Sequence, residues 1–182
     1  MTTGRTTAGD MSDRLLLTEI DDRTGSLTED AKTLLSRGVA AACDLAGRAQ
    51  VHIEIAVVGD DEMHTLNRRW LDHDYPTDVL SFLLDGGGDT RPTEGGGWVV
   101  APLSGQLILN PDHAAREAPT HGWPPHALPA AVRELALYAV HGTLHLLGHD
   151  DRTPEDRRAM RRAEAAALSA CGVAVPAGHE EV

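Results

Sequence analysis

Cysteine is scarce, basic charge is outweighed and no long hydrophobic run occurs, and each shortage removes a class of protein. The two cysteines, Cys43 and Cys171, stand far apart, with no second cysteine two or three positions from either. That spacing supports neither a disulfide framework nor a thiolate zinc site, and a reducing compartment, the cytoplasm, suits it best. The 16 Lys and Arg are outnumbered by 28 Asp and Glu, giving a net charge of −12 with His neutral. Such a surface disfavours nonspecific adhesion to anionic membranes or nucleic acid, so a polyanionic substrate needs a local basic patch. The apolar, charge-free stretch Leu135 to Gly148 is too short to span a bilayer, and residues 1–13 are polar with no apolar signal core. No membrane association is expected.

What remains is ordinary globular composition, 41% hydrophobic and 24% charged over 182 residues, enough for one domain with a buried core. Residues 1–13 are rich in Thr, Gly and Ser and are expected to form a disordered tail, leaving residues 14–176 as a single domain. Patterning predicts a strand over 14–20, a helix from Ser26 or Thr28 to about Ala46, and a strand over 51–58. In that second strand His52 and Glu54 share one face, and Ile53, Ile55 and Val57 the other. Asp60 and Asp61 are N-cap candidates for a helix to about Trp70, followed by a strand over 77–84. The stretch 85–97, with Gly86 to Gly88 and Gly95 to Gly97, reads as a flexible excursion rather than an element.

A strand over 105–110 is followed by a helix entered at Asn110-Pro111-Asp112, by an interruption from Pro119 to Pro129, and by an apolar helix over 130–147. Thr153-Pro154-Glu155 begins a last helix reaching about Cys171. The order predicts an α+β fold: a small mixed sheet of about four strands packed with helices.

The chemistry concentrates in His141-Gly142-Thr143-Leu144-His145-Leu146-Leu147-Gly148-His149-Asp150-Asp151. Two histidines four apart on a helix differ by about 40° in direction and about 6 Å in height, so both imidazoles can reach one metal ion. The helix around them is apolar on nearly every side, which predicts burial and requires each ring to find partners. Gly148 suits a left-handed helix terminator, and the turn it makes carries His149, Asp150 and Asp151 back toward the same ion. The arrangement resembles the zinc-binding helix of metzincin proteases, except that the position of their general-base glutamate, after the first histidine, is Gly142. Gly142 either permits close helix packing or leaves room beside a metal.

These residues, together with Leu66-Asn67-Arg68-Arg69-Trp70, Asp74, Pro76-Thr77-Asp78-Val79-Leu80-Ser81-Phe82 and the strand Gly105-Gln106-Leu107-Ile108-Leu109, resemble the YbeY family of zinc-dependent endoribonucleases. The family signatures involved are HGxLHLxGxDH, LNxxYRxxDxPTDVLSF and GDIxI, and the match covers most of residues 14–170. The resemblance implies a cytoplasmic, metal-dependent endoribonuclease that cuts single-stranded RNA. It also implies a place in ribosomal RNA maturation, at the 16S 3′ end, and in ribosome quality control. It implies one Zn²⁺ per chain, held by His141, His145 and Asp151, and ribosomal RNA with the small ribosomal subunit as partners.

Three positions depart from the pattern. The family's third histidine falls on Asp151, a carboxylate that zinc accepts, with His149 as rival third ligand. Its strand aspartate falls on Gln106, and its arginine after the aromatic falls on Leu71. That arginine is thought to hold the scissile phosphate, a role suited to a planar, permanent charge. Arg69 is the candidate stand-in, with the alternative that Arg68 and Arg69 are solvated surface charges. Arg157, Arg158, Arg161 and Arg162 could form a basic strip for RNA or pair with Glu155, Asp156 and Glu164 at the surface. Asp78 is read as either an orienter of a ligand imidazole or a strand-entry turn; His121 and His179 are read as surface or structural. Leu71 and the net charge keep two alternatives open: a metal-stabilised ribosome-biogenesis factor with little catalytic power, and a metal-dependent hydrolase of a smaller substrate.

Overall fold

Alternating apolar residues build a four-stranded sheet whose two faces are covered by different helices. The structure, a computed structural model, describes residues 15–85, 90–92, 98–100 and 102–179; the expected tail, residues 1–13, lies outside them. The elements are β1 (Leu15–Asp22), α1 (Glu29–Leu45), β2 (Gln50–Val57), α2 (Asp60–Leu71), β3 (Val79–Asp85), β4 (Thr90–Pro92), β5 (Trp98–Val100), β6 (Leu103–Leu109), α3 (Pro111–Glu117), α4 (Ala130–Leu146) and α5 (Pro154–Ala170). The sheet order is β1-β2-β6-β3, with β1, β2 and β6 parallel and β3 antiparallel to β6. This is the mixed α+β arrangement that the element order predicts.

The period of two divides the core. Val51, Ile53, Ile55, Val57, Leu107 and Leu109 pack with buried residues of α1, α4 and α5. The alternate residues Ala56, Ile108 and Leu80 pack with Met63 and Leu66 of α2 and with Phe82 on the other face. α4 therefore covers one face of the sheet and α2 the other.

Local signals account for the ends. Thr28 caps α1 by accepting from the Ala31 amide, and Thr153 with Asp156 forms a reciprocal capping box on α5. At α2 the cap residue is Gly59, not an aspartate. Asp60 is drawn one position inward because Asn110 and Arg116 both donate to its carboxylate. Of the glycine-rich excursion, residues 86–89 and 93–97 lie outside the described residues. Within it, Thr90–Pro92 pairs antiparallel with Trp98–Val100 just beyond it. Cys43 and Cys171 are both buried and form no disulfide with each other.

Candidate metal centre

Two glycines let α4 lie unusually close to the sheet. A Cβ on Gly142 would fall 2.7 Å from Ser81 Oγ, 2.9 Å from Leu107 Cδ2 and 3.0 Å from Val79 Cγ2, and one on Gly105 would fall 2.6 Å from Leu146 Cδ1. Of the two readings of Gly142, close packing is therefore the one the geometry fits. At its C-terminus α4 ends in a Schellman turn: the His149 amide donates to the Leu144 carbonyl and the Gly148 amide to that of His145. Gly148 sits at φ +95°, a conformation that side chains disfavour. The chain is thereby folded back over the last turn, with Asp151 facing His141 and His145.

Each imidazole is fixed from behind. His141 Nδ1 lies 2.7 Å from Glu164 Oε1, and His145 Nδ1 lies 3.0 Å from the His149 carbonyl oxygen. A carbonyl and a carboxylate can only accept, so both Nδ1 atoms are the donors. Both Nε2 lone pairs then point inward, 3.0 Å apart, with Asp151 Oδ2 at 4.0 Å from one and 3.9 Å from the other. Zinc bonds of 2.0–2.1 Å at tetrahedral angles place ligand atoms about 3.3 Å apart. The donor set fits in kind: two nitrogens near that spacing and a carboxylate oxygen slightly beyond it form a possible metal-binding group. One shared proton would satisfy the two nitrogens only, whereas a cation would satisfy all three atoms.

His149 does not join the group among the described residues; its contribution is its backbone carbonyl. The loop that carries Asp151 is itself held. Its amide donates to Asp150 Oδ1, and Arg157 Nη1 donates to the carbonyls of Asp151 and Arg152.

Of the two readings of the α5 arginines, the one that pairs them with Glu164 at the surface is corrected by the structure, because Glu164 faces inward. Its side chain is 5% exposed, with Oε1 accepting from His141 and Oε2 from His179 Nε2 at 2.7 Å. Burial pushes its carboxyl upward, but the hydrogen bonds from the two histidines outweigh burial and hold it down at about 2. It is thus anionic at neutral pH. The missed signal was positional: Glu164 lies four residues from both Met160 and Leu168, on the apolar stripe of α5 rather than its polar side.

A cavity of about 230 Å³ opens at this group, lined by His141, Asp151 and Glu164, by Arg157 and Arg161 of α5, and by Asp78, Glu134, Tyr138, His121 and His179. Asp78 does not orient an imidazole; its Oδ1 accepts from the Thr77 hydroxyl and the Val79 amide at the entry of β3. Glu134, fully buried, accepts from Trp123 Nε1 at 2.6 Å and from His121 Nδ1 at 2.9 Å. Burial and the charge of Glu134 push the Tyr138 hydroxyl above its ordinary range. Arg69 lies elsewhere. Its guanidinium carbon is 5.3 Å above the Trp70 ring, and it lines a cavity of about 390 Å³ with Arg23, Ala56, Phe82, Gln106 and Ile108 on the α2 face.

The model of the family described as "Endoribonuclease YbeY" matches residues 18–172. The chain belongs to the YbeY endoribonuclease family. It is 37% identical to the endoribonuclease YbeY of Rhodopirellula baltica over 84% of this chain and 71% of the relative, and 32% identical to that of Bacillus subtilis over 87% and 97%. The solution structure of TM1509 from Thermotoga maritima is similar at 22% identity and a TM-score of 0.47, covering 84% of this chain and 90% of that one. Of the three departures from the YbeY pattern, Asp151 lies in the possible metal-binding group. Gln106, whose amide is 3.4 Å from Glu54 Oε2, lies on the α2 face, and Leu71, 49% exposed, ends α2 itself.

Proposed function

We propose that this chain is a zinc-dependent, single-strand-specific endoribonuclease of ribosomal RNA maturation, holding one Zn²⁺ on His141, His145 and Asp151. The observation that carries the metal is the convergence of two outward-anchored imidazoles and a carboxylate on one point. The RNA substrate comes from the family, whose named members are endoribonucleases. The finer assignments, 16S 3′ end processing, ribosome quality control, association with the small subunit and a cytoplasmic location, follow from the resemblance. No helix among the described residues is long and apolar enough to cross a membrane. Residues 14–176 act as one domain in this reading.

Bound in this group, zinc supplies a Lewis acid for a phosphoryl oxygen and, with three protein ligands, an open position for water. The chain's own part is to aim the two Nε2 atoms and Asp151, and to place cations where phosphate charge develops. Arg157 and Arg161, one turn apart on α5, line the same cavity and take that role, which the family gives to the arginine at the position of Leu71. Arg69, across the sheet, enters only as the stand-in to be tested. Leu71 favours the second reading, a binding factor with little turnover.

Metal analysis beside a cleavage assay on ribosomal RNA, with and without chelator, tests the proposal. About one zinc per chain and chelator-sensitive cleavage support it. Zinc with RNA binding but no turnover supports the binding factor, and cleavage indifferent to chelator overturns the metal assignment.

A further inference from the structure

The family match ends at residue 172, yet the chain continues into the site. After α5 a second Schellman turn, with Gly172 at φ +80°, sends the Val173 amide to the Leu168 carbonyl and reverses the chain. Val173 is buried and Val175 packs against the main core, so the returning segment is anchored. At its end the His179 amide donates to the Pro176 carbonyl, and the His179 side chain, 16% exposed, reaches Glu164 Oε2. Glu164 is thereby gripped at both oxygens, by His141 Nδ1 and by His179 Nε2, each at 2.7 Å. A carboxylate held by two donors has one orientation. Removing either donor frees it to rotate and leaves a buried oxygen unpaired.

We infer that His179 is a positioning residue for the metal-binding group: through Glu164 it holds His141 in the tautomer and orientation that present Nε2 to the ion. The inference rests on the proposed metal role of His141. Groups that orient a metal-bound imidazole are worth 10- to 100-fold in metal affinity. The segment 173–179, outside the family match, is therefore a working part of this site.

Zinc affinity of the purified full chain, measured by competition with a chromogenic chelator, tests it. His179→Ala is expected to weaken zinc binding by about 10- to 100-fold. His179→Gln, whose amide N–H can still donate to Oε2, should stay within about threefold of wild type. Combined with Glu164→Gln, His179→Ala should add little further loss, because both substitutions cut the same chain of contacts. An unchanged affinity in His179→Ala overturns the inference, as does an equal loss with and without Glu164→Gln, the pattern of a merely structural residue. If wild type and His141→Ala alike hold no zinc, the metal reading itself fails, a result distinct from zinc binding that depends on His141 but not on His179.

Discussion

On the α4 face of the sheet, buried polar groups are tied to one another: Glu164 holds His141 and His179, the His149 carbonyl holds His145, and Glu134 holds Trp123 and His121. On the α2 face, made from the alternate residues of the same strands, the charged groups sit at the rim. Arg69 lies over the half-exposed Trp70, Arg23 pairs with Asp21 and Glu62, and the cavity floor is apolar apart from Gln106. A buried charge left alone is costly, so the α4 face holds its histidines and carboxylates in single geometries. The α2 face has no such compulsion. Two of the three departures from the family pattern, Leu71 and Gln106, belong to α2 or the face it covers.

The sharpest break between the faces is metal content. His141→Ala or His145→Ala should take zinc from about one per chain to none, because a three-ligand set that loses one member no longer closes around the ion. Arg69→Ala should retain the full complement, and atomic absorption on the purified variants decides between them. Asp151→Ala should weaken zinc and Asp151→His should keep it; release of zinc by His149→Ala with retention in Asp151→Ala would move the third ligand to His149.

Catalysis should follow the same division with a smaller effect. Removing a fixed cation from a phosphoryl site lowers rate by around 10² to 10³. Arg161→Gln, which leaves the Arg157 hold on the Asp151 loop intact, should lose about that much in single-turnover cleavage, with zinc unchanged, while Arg69→Ala changes little. An equal fall in Arg69→Ala would bring the α2 face into the catalytic site. A rise in turnover in Leu71→Arg would show that the end of α2 still meets the phosphate.

Packing should also distinguish the faces. Gly142→Ala gains about 1 kcal/mol of helix propensity but drives a methyl into Ser81, Leu107 and Val79. Overpacking of this kind costs about 1–3 kcal/mol, so a net loss in urea unfolding is expected. Leu71→Ala, at the exposed end of α2, should stay within about 0.5 kcal/mol.

The smallest effect concerns Asp60 at the start of α2. The Arg116 guanidinium, with help from Asn110 and against burial, holds its carboxyl below the usual range. A folded-state pKa below the unfolded one stabilises the protein above about pH 4, and that contribution is lost as pH falls through the lowered value. Asp60→Asn should therefore cost about 1 kcal/mol or less at pH 7, since the pair is partly solvated, and nothing once wild-type Asp60 is protonated. Unfolding curves at pH 7 and below pH 3 check the sign; an equal deficit at both would show that Asn110 geometry rather than charge is responsible.

Much of this was legible in the sequence because it is local. The alternation of Val51 to Val57 defines two faces of one strand, Gly148 stops α4 at a left-handed turn, and His141 and His145 share a helix face by spacing alone. A pattern of three to five residues carries its own geometry wherever the chain folds. The strand at Thr90–Pro92 is not legible for the opposite reason: its pairing with Trp98–Val100 is a contact between two segments, to which glycine content is a poor guide.

By itself the sequence determined the α+β class, the paired imidazoles, the turn that brings Asp151 back and the family to which the chain belongs. Only the tertiary structure decided that Glu164 faces inward on α5, that His179 returns across it, and that Gly142 is a contact with β3 and β6. The same is true of the separation of Arg69 from the histidines by the thickness of the sheet. Glu164 stands 23 residues from His141 and 15 from His179, so no helical or strand period relates them. What joins them is burial: a carboxylate forced into the interior by the apolar stripe of its helix must find donors there, and the fold supplies two.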